Sequence, residues 1–248
     1  MLFSACSFQE SWRPRVVCFG DSLTQQGFDA ERLGWLALLA NWWERRFDIV
    51  NRGFSGYNTR WSMPLLEKLF VPGGTPTKLV TIFFGANDCV MEGFAQHVPL
   101  NEYRSNLKVM VNHVRAVHGD VKVVLITPPP IHEGRWTANR EGKGGKMDRK
   151  QALTMAYAQA CTEVSRDLSV PVVNAFSLLG SGDEVLASEY LNDGVHFTSA
   201  GNKAIFEAMR ALVERDFPEL QPDVVPMQAP HFSNVDPDDP RGSVLRSL

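Results

Sequence analysis

Five short apolar runs punctuate the chain, and none of them alternates polar with apolar residues. They are "RVVCF" (15–19), "DIVN" (48–51), "KLVTIFF" (78–84), "VKVVLIT" (121–127) and "VPVVN" (170–174). β-Branched and aromatic content without a two-residue period marks strands covered on both faces. Segments of helical character lie between them, near 30–46, 58–70, 100–118, 148–168 and 199–215. Strand–helix alternation of this kind predicts a parallel sheet with helices on both sides, joined by right-handed crossovers. Five such units suit the doubly wound strand order 2-1-3-4-5. The expected class is therefore α/β, in three α/β/α layers.

The first helical segment carries Leu33, Leu36, Ala40 and Trp43 on one face, a stripe that faces a core. Trp35, Trp42 and Trp43 are read as packing residues on the same grounds. The 248 residues allow one sizeable core. We expect the main domain over 1–216 and an extended tail over 217–248, where six prolines and several aspartates interrupt any pattern. Residues 128–147, "PPPIHEGRWTANREGKGGKM", read as a long basic loop, the usual form of a lid.

A formal charge of −3 shows no polybasic bias, so nucleic acid and anionic membrane are not expected partners. No apolar run approaches the roughly 20 residues that span a bilayer, so no integral membrane segment is expected. The N-terminal "MLFSACSFQESWRPR" has neither a basic start nor an apolar stretch, so Cys6 is not read as part of an export signal. Cys6, Cys18, Cys89 and Cys161 are scattered, without CxxC pairing. A reducing, cytoplasmic compartment fits that usage.

In an open α/β sheet, ligands bind beyond the carboxyl ends of the strands, where the strand order reverses. The loops after strands 1, 2 and 3 meet there: "GDSL" (20–23), "NRGFSG" (51–56) and "GAND" (85–88). These supply a hydroxyl, a glycine-rich turn and a carboxamide, the groups that acyl transfer needs. Ser22 is the candidate nucleophile, activated by a neighbouring base. The N–H groups of Ser22 and Gly53 and the amide of Asn87 are candidate donors for an oxyanion hole. In "LNDGVHFTSAG", Asp193 precedes His196 by three residues, close enough to hold its Nδ1–H and leave Nε2 for Ser22. A helix is expected to begin at Thr198 or Ser199. Asp88 is read as structural.

"FGDSLTQQG", "GANDCV" and "DGVHFTSAG" resemble the sequence blocks of the GDSL, or SGNH, hydrolases, and "NRGFSGYNTRW" resembles their isoamyl acetate-hydrolysing branch. The likeness runs through residues 15–215 in the family's order. It implies a flavodoxin-like fold, an SGNH-type hydrolase domain over 1–216, and ester hydrolysis with no cofactor and no metal. By matching motifs it implies Ser22 as nucleophile, Gly53 and Asn87 as oxyanion donors, and Asp193 with His196 as the acid–base pair. Cys89 departs from the branch, which often has alanine there.

Other motifs fail on spacing. "GFSGY" (53–57) has Tyr57 where a nucleophile elbow needs glycine, so Ser55 is a turn residue. "GKGGK" lacks the phosphate-loop spacing, and "HEGRW" lacks the second histidine of a zinc helix. His113 and His118, five apart, do not share a helix face. The expected substrate is a small-molecule ester with a short acyl chain. Lysophospholipase, thioesterase and carbohydrate deacetylase activity are alternatives, and a catalytically silent scaffold is the non-enzymatic one. A homodimer is among the assemblies left open.

Overall fold

Strands Arg15–Gly20 (β1), Asp48–Gly53 (β2), Thr77–Phe83 (β3), Lys122–Ile126 (β4) and Val172–Val173 (β5) pair side by side in parallel. Their order is β2-β1-β3-β4-β5, the one expected. The structure is a computed structural model that describes residues 13–73 and 75–245. The reading of an absent export signal around Cys6 lies outside the described residues. Among them, no helix is long and apolar enough to cross a membrane.

The helices used below are Ser22–Gln25 (α1), Trp35–Trp42 (α2), Leu100–His118 (α3), Glu133–Gly142 (α4), Gln151–Leu168 (α5) and Ser199–Asp216 (α6). Successive strand residues point to opposite faces of a sheet, and β1 divides its side chains accordingly. Val16 and Cys18 join the core formed with α2 and α6, around Trp35, Leu39, Trp43, Ile205 and Met209. Val17 and Phe19 join the core on the other face, with Leu107 and Met110 of α3 and Tyr157 and Val164 of α5. Trp35 and Trp43 are fully buried, and each indole N–H donates to a carbonyl, of Leu23 and Leu220 respectively. Truncating either to alanine removes a contribution of about 3–5 kcal/mol.

Three local expectations are corrected. The first helix begins at Trp35, because Asp29 Oδ1 accepts the N–H groups of Glu31 and Arg32 in a turn. Leu33 there has φ +49° and is 52% exposed, so Leu39 takes its expected place in the core. The 58–70 segment is broken into Thr59–Ser62, a 3₁₀ turn at Met63–Leu65 and Leu66–Leu69. Pro64 lacks the N–H that would continue the helix. The 128–147 stretch is not a bare loop, for it contains α4 with Trp136 buried beneath it.

Beyond α6 the chain runs irregularly, with short turns at Pro218–Leu220, Phe232–Asn234 and Pro240–Leu245. Arg45 and Arg46, just before β2, donate to the carbonyls of Gln228, Ala229, Pro230 and Pro222. Those contacts lay the segment along the edge of the sheet opposite the loops discussed next.

Candidate functional site

Register brings the three loops together. Gly20 at the end of β1 lies level with Gly53 of β2 and with Phe83 of β3. The chain leaving each strand therefore emerges at one height on one edge. Asp21 follows at once and caps α1, its Oδ1 accepting the N–H of Leu23 at 2.9 Å. Ser22 is thereby set at the first position of a helical turn, its side chain buried among the loops.

His196 reaches this edge from 174 residues away along the chain. A bridge between Leu191 and Phe197 pins the base of its loop, and Phe197 stacks on Phe83 of the core. Thr198 then caps α6 through the N–H of Gly201, so the helix starts at Ser199 as expected. Within the loop, Asp193 Oδ1 accepts the backbone N–H groups of Val195 and His196 at 3.0 and 2.9 Å. Its Oδ2 lies 2.8 Å from His196 Nδ1, and His196 Nε2 lies 2.9 Å from Ser22 Oγ. Burial alone would raise the Asp193 carboxyl. The hydrogen bond and charge of His196, with the two backbone N–H groups, outweigh it and hold the carboxyl well below the usual range. An ionised carboxylate only accepts, so the hydrogen sits on Nδ1 and Nε2 is free to accept from the serine.

Asn87 is buried beside these groups. One Nδ2–H donates to the Tyr57 carbonyl at 2.7 Å, and Oδ1 accepts from Arg149 Nη2 at 2.9 Å. The second Nδ2–H donates to no described residue. Gly53 does not meet its expectation as a donor, because its N–H is bonded to Asn51 Oδ1 at 2.9 Å. Its glycine is required by packing instead. A Cβ there would stand 2.0 Å from the Gln25 nitrogen and 2.6 Å from the Thr24 carbonyl carbon, inside the turn that carries Ser22. Three residues on, Gly56 holds φ +80° in a turn closed by Tyr57 N–H and the Phe54 carbonyl. The N–H groups of Gly56 and Ser22 bond no described residue.

Ser22 and, 174 and 171 residues further along the chain, His196 and Asp193 align as hydroxyl, imidazole and carboxylate and match the sequence blocks that flank them. The profile of the GDSL-like lipase/acylhydrolase family covers residues 18–204. The chain belongs to that family. A Mus musculus protein named isoamyl acetate-hydrolyzing esterase 1 homolog is 40% identical over 94% of this chain and 92% of its own length. An Arabidopsis thaliana GDSL esterase/lipase is 38% identical over 92% and 96%. The crystal structure of a lipase/acylhydrolase from Enterococcus faecalis superposes with a TM-score of 0.61 at 22% identity, covering 82% of this chain and 96% of its own. That last likeness concerns the fold alone. This chain is a carboxylic ester hydrolase of the GDSL family.

The wall of this GDSL site contains residues that sequence reasoning missed. Arg149 is 4% exposed and lies over the Trp136 ring, 4.9 Å from its centroid. Trp136 in turn donates its indole N–H to Asp148 at 2.7 Å. The same segment braces the histidine loop, His132 N–H donating to the Gly194 carbonyl and Arg135 to those of Ser188 and Leu191. No pattern distinguishes Arg149 from Arg140, Lys143, Lys146 or Lys150, its neighbours in the basic stretch. Gly56 did carry a signal, since a glycine after Ser55 in a turn suits positive φ.

Asp88 joins two loops, its Oδ1 accepting both the N–H and the hydroxyl of Thr59. Burial pushes its carboxyl up to about 6, against those hydrogen bonds. Cys18 and Cys89 are pushed by burial to about 12 and about 11, so neither is a thiolate at neutral pH.

Proposed function

We propose that this GDSL-family hydrolase cleaves esters through an acyl-enzyme formed on Ser22. His196 Nε2 takes the hydroxyl proton as Oγ attacks the ester carbonyl, and Asp193 steadies the imidazolium that results. The carbonyl oxygen becomes an anion held by the N–H of Ser22, the free Nδ2–H of Asn87 and the N–H of Gly56, which replaces Gly53 in this role. His196 then gives its proton to the departing alcohol. Water, activated by the same imidazole, attacks the acyl-enzyme, and its proton returns to Ser22 through His196. The observation that carries the reading is the 2.9 Å contact between Ser22 Oγ and His196 Nε2, with Asp193 at 2.8 Å behind it.

The substrates we propose are small carboxylic esters, such as acetates of short alcohols. The likeness to the mouse isoamyl acetate-hydrolyzing esterase homolog supports this choice. A cytoplasmic location is supported by the free, buried thiols of Cys18, Cys89 and Cys161. The test is a panel of p-nitrophenyl esters of rising acyl length on the purified protein. Short-chain preference is expected; kcat/KM climbing steadily towards long chains would point to a lysophospholipase or thioesterase instead.

A further inference from the structure

We propose that Arg149 is a positioning residue for Asn87, setting which edge of that carboxamide faces the substrate carbonyl. The inference rests on the reading of Asn87 as an oxyanion donor. A carboxamide turned by 180° has nearly the same shape but presents an oxygen where a donor is needed. Such an oxygen would repel the developing anion. Orientation is therefore a chemical decision, and two partners make it here. The Tyr57 carbonyl only accepts, and it holds Nδ2 at 2.7 Å. The Arg149 guanidinium only donates, and it holds Oδ1 at 2.9 Å. Both demand the same arrangement.

Arginine is an expensive choice for that place. Its side chain is 4% exposed, and Nε and Nη1 find no hydrogen-bond partner among the described residues. Asp148 Oδ1 stands 3.9 Å from Nε and already accepts the Trp136 indole N–H at 2.7 Å. The Trp136 face under the guanidinium offsets only part of the lost hydration. A methionine or leucine would fill the same space without a charge to desolvate. What the guanidinium adds is a charged donor on Oδ1, which polarises the amide and strengthens its remaining N–H towards an oxyanion. That effect is stronger in the transition state than in the bound ester, so it acts on kcat.

The test is a double-mutant cycle on p-nitrophenyl acetate hydrolysis, with kcat expressed per fluorophosphonate-titrated site and Tm measured for every variant. Arg149→Met is expected to lower kcat about 10–100-fold with KM within about threefold. Arg149→Lys, which keeps the charge and loses the planar fork, is expected to recover part of that loss. In an Asn87→Ala background, Arg149→Met is expected to change kcat by less than about twofold, because the residue it acts through is gone. Losses that multiply in the double variant would overturn the proposal, as would an unchanged kcat in Arg149→Met. A packing role alone would lower Tm and the titrated fraction and leave kcat per site intact, which also overturns it. Should the Met variant not fold, Arg149→Lys carries the same cycle. An unaffected Asn87→Ala would instead defeat the oxyanion reading itself, a result distinct from failure of the Arg149 arm.

Discussion

Asp193 grips His196 twice, through the backbone N–H with Oδ1 at 2.9 Å and through the ring with Oδ2 at 2.8 Å. One carboxylate therefore shapes the loop and selects the tautomer. Asp193→Asn keeps an acceptor for the backbone but offers Nδ1 an N–H, which drives the ring hydrogen to Nε2. The serine then loses its proton acceptor. We expect kcat to fall by on the order of 10⁴, as such a tautomer error does in serine hydrolases. A Tm close to wild type should accompany the loss, and retention of most of the activity would remove Asp193 from the mechanism.

Ser22→Ala removes the group that lies 2.9 Å from His196 Nε2 while leaving the Asp21 cap on α1 in place. Hydrolysis of p-nitrophenyl acetate and labelling by a fluorophosphonate should both disappear, with little change in Tm. Persistent labelling at another residue would identify a different nucleophile.

The two glycines of "NRGFSGYN" should respond differently to alanine. At Gly53 the added methyl meets the Gln25 nitrogen at 2.0 Å, and backbone cannot step aside cheaply. Gly53→Ala should cost about 1–3 kcal/mol of stability, the usual range for forced overpacking, and displace the Ser22 turn. At Gly56 the nearest atom is Gln96 Nε2 at 3.6 Å, so the cost is that of φ +80° alone, about 1–2 kcal/mol. Urea unfolding and kcat of both variants check this. Equal behaviour, with Gly53→Ala as active as wild type, would contradict the packing at Gly53.

Asp21 makes stability depend on pH. Burial pushes its carboxyl up to about 7; the Leu23 N–H opposes this, Asp88 adds to it, and His196 and Arg149 oppose it. A carboxyl whose folded pKa exceeds its unfolded value of about 3.9 binds more protons when folded. Its contribution is complete below the unfolded value and is lost as pH rises through about 7. Asp21→Asn keeps an acceptor for Leu23 and removes the titration. The Tm of the variant should therefore gain on wild type between about pH 4 and pH 8. A constant difference across that range would show that Asp21 does not titrate there.

Much of the scaffold was legible because strands buried on both faces need continuous apolar runs, and such runs survive in any reading of the chain. Right-handed crossovers narrowed the strand order to the doubly wound ones, among which 2-1-3-4-5 suited five units and is the order observed. Ser22, Asn87, Asp193 and His196 stood out because each sits at a strand end or a turn, where a polar residue has to be explained. Gly53 stood out for a different reason than it deserved: a glycine in a tight turn shows that space is short but does not say what fills it.

The chain order of residues alone determined the α/β class and the candidate side chains for the sheet edge, since periodicity and turn chemistry are local properties. Only the tertiary structure decided which N–H groups are already spent, as Asn51 shows at Gly53, and which of several basic residues between 140 and 150 is buried. Hydrogen-bond vacancy and desolvation belong to neighbours brought together from distant segments. No stretch of sequence carries them by itself.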